Sequence, residues 1–453
     1  MNIDKTGFTI YPSVVVAGRD TSVCITPNGS HARFDDNFKS LPIDILMTPR
    51  LPAGYSKINN DVSYTIYIIP MEHTNFAAPI ESYDHVSVRP CDGCLAFNYV
   101  FSDEQEYELV IMDPFEDGNE LTVLNMYCIN ADLCGKLPFK GDLHIHSYYS
   151  DGQEAPEIVA ANYRAHGFDF MAITDHCRRF PSEFLIDFYR DIPIDLAMYY
   201  GEEVHVPYPI NIHAVCVGAS CSVNEYYVDN KEKCDAECAQ LAEKLTLPKE
   251  FDAVDIAKHM WIAAEIKKRG GLAILVHPHW IYQHVYHMRD SSVQYLLRNN
   301  IYDAFEVLGG SPIPLNNLQT ALYSQMRAEG ATIPVVGNSD SHGTEPPVYF
   351  NETFTVAFSS DTTFERISSA IKNLDSVAVQ NPPNGPFEIF GEYRLVKYTR
   401  FLLDNYFPWH DRLCATEGLL MREAALGNAD ASSALAHISG QCAAFANKFF
   451  ATL

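Results

Sequence analysis

In Asp142-Leu143-His144-Ile145-His146 a period of two places Asp142, His144 and His146 on one face of a strand and Leu143 and Ile145 on the other. Two imidazoles converging on one point carry metal chemistry only in company, because a satisfied structural pair uses the same spacing. The company is present. Ser150-Asp151-Gly152, Thr174-Asp175-His176, Gly201-Glu202-Glu203, Ile212-His213, Val276-His277-Pro278-His279 and Asn338-Ser339-Asp340-Ser341-His342 each set His, Asp or Glu at or beside the end of an apolar run. Barrel enzymes build their sites at the C-terminal ends of strands. The histidines 144, 146, 176, 213, 277 and 342 and the carboxylates 151, 203 and 340 would be costly to bury alone, and divalent cations supply the compensation. A mixed nitrogen and oxygen donor set suits zinc, manganese or iron rather than calcium or magnesium, and the absence of cysteine from these positions argues against a structural zinc knot. Glu202 competes with Glu203, His205 lies two residues further along the same strand face, and His279 competes with His277. His259, His284 and His287 read as helix or loop surface, with the 284–287 loop placed to overhang a pocket.

The elements that must position these residues follow from periodicity. From Lys140 onward short apolar strands alternate with helical segments, the signature of βαβ units around a parallel sheet or barrel. Strands are expected at Asp142 to His146, Phe170 to Thr174, Met198 to Val204, Ala214 to Gly218, Leu272 to Val276, Ala304 to Leu308, Ile333 to Gly337 and Thr353 to Phe358. Between them lie helices over Ala155 to His166, Val254 to Arg269 and Leu315 to Glu329, each stopped by glycine. An acidic helical insertion near residues 221–253 reads as a lid or as a surface elaboration, and Thr362 with Glu365 has capping-box spacing before another helix. Residues 1–139 read as a β-sandwich of immunoglobulin-like type, with strands at Tyr64 to Pro70, Gly93 to Val100, Glu106 to Met112 and Leu121 to Ile129. Residues 140–380 form the catalytic domain, and 381–453 a helical C-terminal extension.

Composition bounds the partners. The chain of 453 residues is 47% hydrophobic and 20% charged, which is globular, and long enough for two or three cores. Thirty-two basic residues stand against 58 acidic ones, a net of -26, so the surface repels long nucleic acid while a cation-lined cleft would still accept a small anion. The N-terminus lacks the pattern of a signal peptide and no run is long enough to span a membrane, so a cytoplasmic location with twelve reduced cysteines is expected. Cys91-Asp92-Gly93-Cys94 reads as a tight turn, and Cys234 with Cys238 as one face of a surface helix.

Taken together, Asp142-x-His144-x-His146, Ser150-Asp151-Gly152, Thr174-Asp175-His176, Gly201-x-Glu203, His277-Pro278 and Ser339-Asp340-x-His342 resemble, in the same order, the successive motifs of the PHP (polymerase and histidinol phosphatase) superfamily. The resemblance covers roughly Lys140 to Val379, and the lead-in Lys140-Gly141-Asp142-Leu143-His144 with the preceding β domain further resembles a branch of metallohydrolases related to carbamate-cleaving enzymes. It implies a distorted (β/α)7 barrel holding two or three metal ions. By motif, His144, His146, Glu203 and Asp340 would hold the first, with Glu203 bridging to a second held by His213 and His277. Asp151, His176 and His342 would hold a third. Position 151 is aspartate where the histidine-rich members carry histidine. Such ions activate water and stabilise developing charge. Asp175 and Asp142 would orient ligand histidines, Arg178 or Arg179 would clamp an anion, and Asp175, Arg178 and His279 are the candidate catalytic residues. Phosphomonoester hydrolysis is the leading reaction. The alternatives are hydrolysis of a carboxylic or carbamic ester or a phosphodiester at the same metals, and a catalytically silent metal-binding module.

Overall fold

The structure, a computed structural model, describes residues 7–27, 58–72, 77–116, 118–206, 212–248, 251–310, 312–382 and 385–451. Residues 28–57 of the expected sandwich and 249–250 of the insertion lie outside the described residues. The chain divides into two compact units, Met1–Gly135 with Arg400–Pro408 and Ala443–Leu453, and Lys136–Thr399 with Trp409–Cys442.

The first unit contains β1 (Phe8–Tyr11), β2 (Val14–Val16), β3 (Asp20–Pro27), β4 (Tyr64–Pro70), β5 (Asp84–Val88), β6 (Leu95–Val100), β7 (Gln105–Met112) and β8 (Glu120–Ile129). They form a sheet in the order β1-β3-β6 and another in the order β2-β8-β7-β4-β5. The buried faces alternate as a half-solvated strand demands: Tyr64, Ile66 and Ile68 point inward from β4 and join Val23, Ile25 and Leu95 of the other sheet in one core. Cys91 and Cys94 exchange backbone hydrogen bonds of 3.0 Å across Asp92 and Gly93, both at positive φ, which makes the expected tight turn.

In the second unit, β9 (Leu137–Ile145), α1 (Pro156–Ala165), β10 (Phe170–Ile173), α2 (Phe180–Tyr189), β11 (Ala197–Tyr199), β12 (Gly201–Val204), β13 (Ala214–Val217), α3 (Val223–Asp229), α4 (Lys231–Lys244), α5 (Ala253–Lys268) and β14 (Leu272–Leu275) follow in order. After a small hairpin of β15 (Ile281–Tyr282) and β16 (Val285–Tyr286) come α6 (Asp290–Arg298), β17 (Ala304–Leu308), α7 (Ile313–Ala328) and β18 (Val335–Gly337). A second hairpin, β19 (Gly343–Thr344) and β20 (Pro347–Val348), precedes β21 (Thr353–Ser359), α8 (Phe364–Lys372), β22 (Ser376–Gln380) and β23 (Glu388–Gly391). The helices α9 (Tyr393–Asn405), α10 (Phe407–Ala425), α11 (Ala429–Ile438) and α12 (Gln441–Phe449) complete the chain and are shared between the units. No described helix is long and apolar enough to cross a membrane.

The fold is mixed α/β, but its strands form two sheets rather than one closed ring: β11-β10-β9-β21-β22-β23 and β12-β13-β14-β17-β18. The expected parallel pattern holds for β9, β10 and β11 and for β14, β17 and β18. It fails at β21, antiparallel to β9 and β22, and at β13, which runs antiparallel to both neighbours. At β13 the reason is connection length: nine residues separate Val204 from Ala214, fewer than a parallel crossover requires. Leu143 of β9, Ala172 of β10, Val215 of β13, Ile274 of β14 and Val336 of β18 share one interior cluster, so both sheets pack on the same core.

Several local expectations change. The capping box does not form at Thr362; the cap of α8 falls at Thr363, whose backbone N–H is held by Asp361 at 2.9 Å. Cys234 and Cys238 are not on a surface face but buried with Trp261 and Tyr227. His259 is likewise no surface residue. It is 1% exposed on α5, with Nδ1 2.8 Å from the hydroxyl of Tyr302 and Asp255 4.0 Å from Nε2. Burial pushes its pKa down from 6.5 to about 4, against the weaker pull of Asp255. The unfolded chain takes up a proton below about 6.5 while the folded chain refuses it until about 4, so the stability from this group is full above 6.5 and lost as pH falls. Between pH 6.5 and 4.5 the loss is about 2 kcal/mol. His259→Gln should therefore show a shallower fall of Tm with acidification in metal-free protein; parallel curves for variant and parent would refute this.

Candidate metal centre

Most of the ligand-type residues are set by a strand end or by a short continuation of one, and Asp151 by the loop that follows β9. Ile145 pairs with Ser341 in parallel and His146 N donates to Ser341 O at 2.8 Å, which draws the Asp340–His342 segment beside the end of β9. His176 pairs in the same way with Glu203, and Cys177 N donates to Glu203 O at 2.9 Å. His277, Asp340 and Cys177 have φ of 24°, 53° and 61°, a conformation that costs of order 1–3 kcal/mol per residue and clusters at functional sites.

Glu203 is the centre. Its carboxylate is wholly buried, with Oε2 2.7 Å from His176 Nδ1 and 3.5 Å from the Nε2 atoms of His144, His146 and His205. Its Oε1 lies 2.7 Å from His213 Nδ1 and 3.5 Å from His277 Nε2. Asp340 Oδ1 stands 2.9 Å from His146 Nε2 and 3.3 Å from His144 Nε2. Asp151 Oδ1 stands 3.3 Å from Nε2 of both His176 and His342. All nine residues singled out by type and spacing therefore meet in one place. Of the competitors, Glu202 points away, accepting from Ser222, Val223 N and Asn224. His205 joins the cluster, 2.9 Å from His176.

The chemistry of the donors fits cations. Both oxygens of Glu203, Nε2 of His144 and His146, and both ring nitrogens of His213 are buried without a hydrogen bond of acceptable geometry. Leaving such groups unsatisfied costs free energy unless something else engages their lone pairs. Tautomers agree with this. His144 Nδ1 sits 3.0 Å from Glu306 Oε2, so with the carboxylate as acceptor the proton is on Nδ1 and the lone pair of Nε2 faces Glu203 and Asp340. His342 Nδ1 donates to Asp340 O at 2.7 Å, which frees Nε2 toward Asp151. Burial holds the His213 ring neutral, with a pKa of about 4, despite the attraction of Glu203. At Glu203 burial opposes ionisation, but the charged rings around it, His144 and His176 among them, outweigh it and hold the carboxyl well below its usual range. His176 goes the other way: burial disfavours its charge, yet Asp151 and Glu203 raise it to about 10.

Three expected roles are corrected. Asp175 does not touch a ligand histidine; it accepts from Ser147 N at 2.8 Å, Ser147 Oγ at 2.5 Å and Ser150 Oγ, and so holds the loop that carries Asp151. Asp142 likewise binds backbone, accepting from His144 N at 3.0 Å and from Ser339 N at 3.1 Å, with the Tyr163 hydroxyl on its other oxygen. His279 turns out of the cluster, its Nε2 3.2 Å from Asp290 at the start of α6. Arg179 pairs with Glu183 and lies over the Tyr200 ring, whereas the side chain of Arg178 is exposed.

Sequence reasoning missed Glu306. It accepts from His144, from Asn338 Nδ2 at 3.0 Å and from His277 N at 3.3 Å, all from the middle of the apolar strand Ala304–Leu308. A wholly buried carboxylate flanked by Phe305 and Val307 is itself a signal, since such a charge needs partners. His287, read as loop, brings its ring 4.7 Å from that of His213, beside Trp280.

With this geometry in hand, comparison with solved structures finds relatives in shape. One is a two-domain protein of Bacteroides vulgatus containing a PHP-like metal-dependent phosphoesterase assigned by prediction, at 16% identity and a TM-score of 0.38, covering 54% of this chain and 65% of the other. A provisionally assigned metal-dependent phosphoesterase of Bifidobacterium adolescentis matches at 17% identity and a TM-score of 0.32, covering 45% of this chain and 87% of the other. An amidohydrolase of Chromobacterium violaceum, with bound sulfate and no metal, matches at 19% identity and a TM-score of 0.31, covering 46% and 89%. No protein-family model and no curated protein matches the chain.

Close backbone approach gives a direct test of the Asp340 position. A Cβ on Gly310 would lie 2.1 Å from Asp340 Oδ2. Gly310→Ala must therefore displace that carboxylate, and if Asp340 holds a cation the shift should lower metal affinity ~10–100-fold. Isothermal titration of manganese into the metal-free variant checks it; affinity equal to the parent's would contradict the placement.

Proposed function

We propose that this chain is a metal-dependent hydrolase of PHP type whose substrate is a small phosphomonoester. The observation that carries the reading is the Glu203 carboxylate, buried among ring nitrogens with neither oxygen hydrogen-bonded. His144, His146, Glu203 and Asp340 would hold one cation, and Glu203 would share a second with His213 and His277. Asp151, His176 and His342 would hold a third, and zinc, manganese or iron suits this donor set. Bound cations would supply Lewis-acid polarisation of a phosphoryl or carbonyl oxygen and a more acidic water.

The chain's own residues do the rest. Asp175 keeps the loop from Ser147 to Ser150 in place, and with it Asp151. Glu306 fixes the His144 tautomer. Arg178, exposed two residues beyond His176, would offer its guanidinium to a phosphate. We read the two sheets of the second unit as halves of one distorted barrel around their common core. A net charge of -26 favours a small anion over a polynucleotide as partner.

The test is phosphate release from a panel of sugar, amino-alcohol and nucleotide monophosphates with manganese or zinc, alongside metal analysis. Release from at least one member and two or more ions per chain is the expected result. Cleavage of aryl esters with every phosphate intact would move the reaction to carboxylic or carbamic esters. Less than one ion per chain would remove the hydrolase reading.

A further inference from the structure

We propose that Cys414 and Cys442 form a redox-active dithiol in which Cys442 is the attacking thiolate and Cys414 the resolving thiol. Their sulfurs lie 3.6 Å apart, within about 1.6 Å of the 2.03–2.05 Å bonded distance. Cys414 is buried in α10, while Cys442 is partly exposed in the first turn of α12, where the helix N-terminus favours an anion. Arg164 Nη2 donates to Cys442 Sγ at 3.4 Å. His410, one turn before Cys414, places its ring nitrogens 3.6 and 3.7 Å from the Cys414 sulfur. Both of those nitrogens also face carboxylates at 3.0 Å, Nδ1 to Asp411 and Nε2 to Asp169, which favours an imidazolium. A permanent guanidinium on one sulfur and an imidazolium beside the other stabilise a thiolate. The thiols accordingly separate: the bond from Cys414, with His410 and Arg164, lowers Cys442, while burial raises Cys414.

The co-reactant is a hydroperoxide. The Cys442 thiolate attacks one peroxide oxygen, forming S–O and breaking O–O; the departing alkoxide or hydroxide takes a proton from solvent. Cys414 then attacks the Cys442 sulfur, forming S–S and breaking S–O, and the leaving hydroxide takes the Cys414 proton as water. Two thiols lose two electrons and the peroxide gains two.

In the full-length protein, alkylation by iodoacetamide at pH 6 should label Cys442 about tenfold faster than exposed Cys221, since its larger thiolate fraction outweighs its lower nucleophilicity. One equivalent of hydrogen peroxide should lower the mass by 2 Da and yield a Cys414–Cys442 linked peptide. Cys414→Ala should stop at a sulfenic acid on Cys442 that dimedone traps, and Cys442→Ser should abolish both products. Oxidation confined to Cys91 or Cys221, or Cys442 alkylating no faster than Cys221, overturns the proposal. So does a metal ion lost on Cys442→Ser and retained by the parent, which would make the cluster a metal site. None of these readouts depends on hydrolase activity.

Discussion

Glu203→Gln is expected to empty the centre of cations and to lower turnover by roughly 10³-fold, beyond the 10–100-fold that follows from losing a partner one step outside the ligands. The substitution keeps the shape of the side chain and removes its charge. Six imidazoles surround that carboxylate within 3.5 Å, and no other acid replaces it, because Asp340 and Asp151 each reach only some of the same rings. An amide would also turn two hydrogen-bond donors toward lone pairs already aimed at the centre. The neighbouring Glu202→Gln is the control. Glu202 is equally buried but accepts from Ser222, Val223 and Asn224, so its loss should lower the melting temperature and leave the metal content unchanged. Elemental analysis of both proteins, with phosphate release, separates the two roles. Full metal content in Glu203→Gln, or activity within tenfold of the parent, would show that Glu203 is not the shared ligand.

The nine-residue cluster was legible because its signal is local: a ligand-type residue just past an apolar strand is visible wherever the strand is. His146, Asp340 and His342 illustrate this, lying at the ends of segments whose apolar runs are unmistakable. What each residue touches is set instead by loop paths that no periodicity reports. Asp175 sits beside His176 in sequence, yet its carboxylate turns to Ser147 and Ser150. His279 is two residues from His277 and faces Asp290. The antiparallel β13 was hidden for a related reason, since direction depends on the length of a connection and not on the strand's own residues. Glu306 was legible and overlooked. A carboxylate inside Ala304-Phe305-Glu306-Val307-Leu308 contradicts its surroundings unless it serves a partner, and the partner is His144.

Arg164→Met should produce the largest loss of stability, about 3–5 kcal/mol, or roughly 10 °C in the melting of the unit that carries it. The guanidinium is completely buried in α1 and donates to Glu417 at 2.8 Å, to Phe168 O at 2.9 Å and to Asp169 at 3.1 Å. Methionine fills much of the same volume, so the cost arises from Glu417 left without its cation, and Asp169 left with His410 alone, rather than from a cavity. A second change separates these causes. If unpaired charge dominates, Arg164→Met with Glu417→Gln should recover part of the loss, although Glu417→Gln alone destabilises; additive losses would point to packing instead. Asp169 enters β10 while His176 leaves it, so the network braces the strand at the end away from the ligands. The gain in melting temperature on adding manganese or zinc should then be similar in the parent and in Arg164→Met, because binding linkage depends on the ligand cluster and not on the stability of the frame. A variant that melts early and also fails to respond to metal would mean that Arg164 shapes the centre itself.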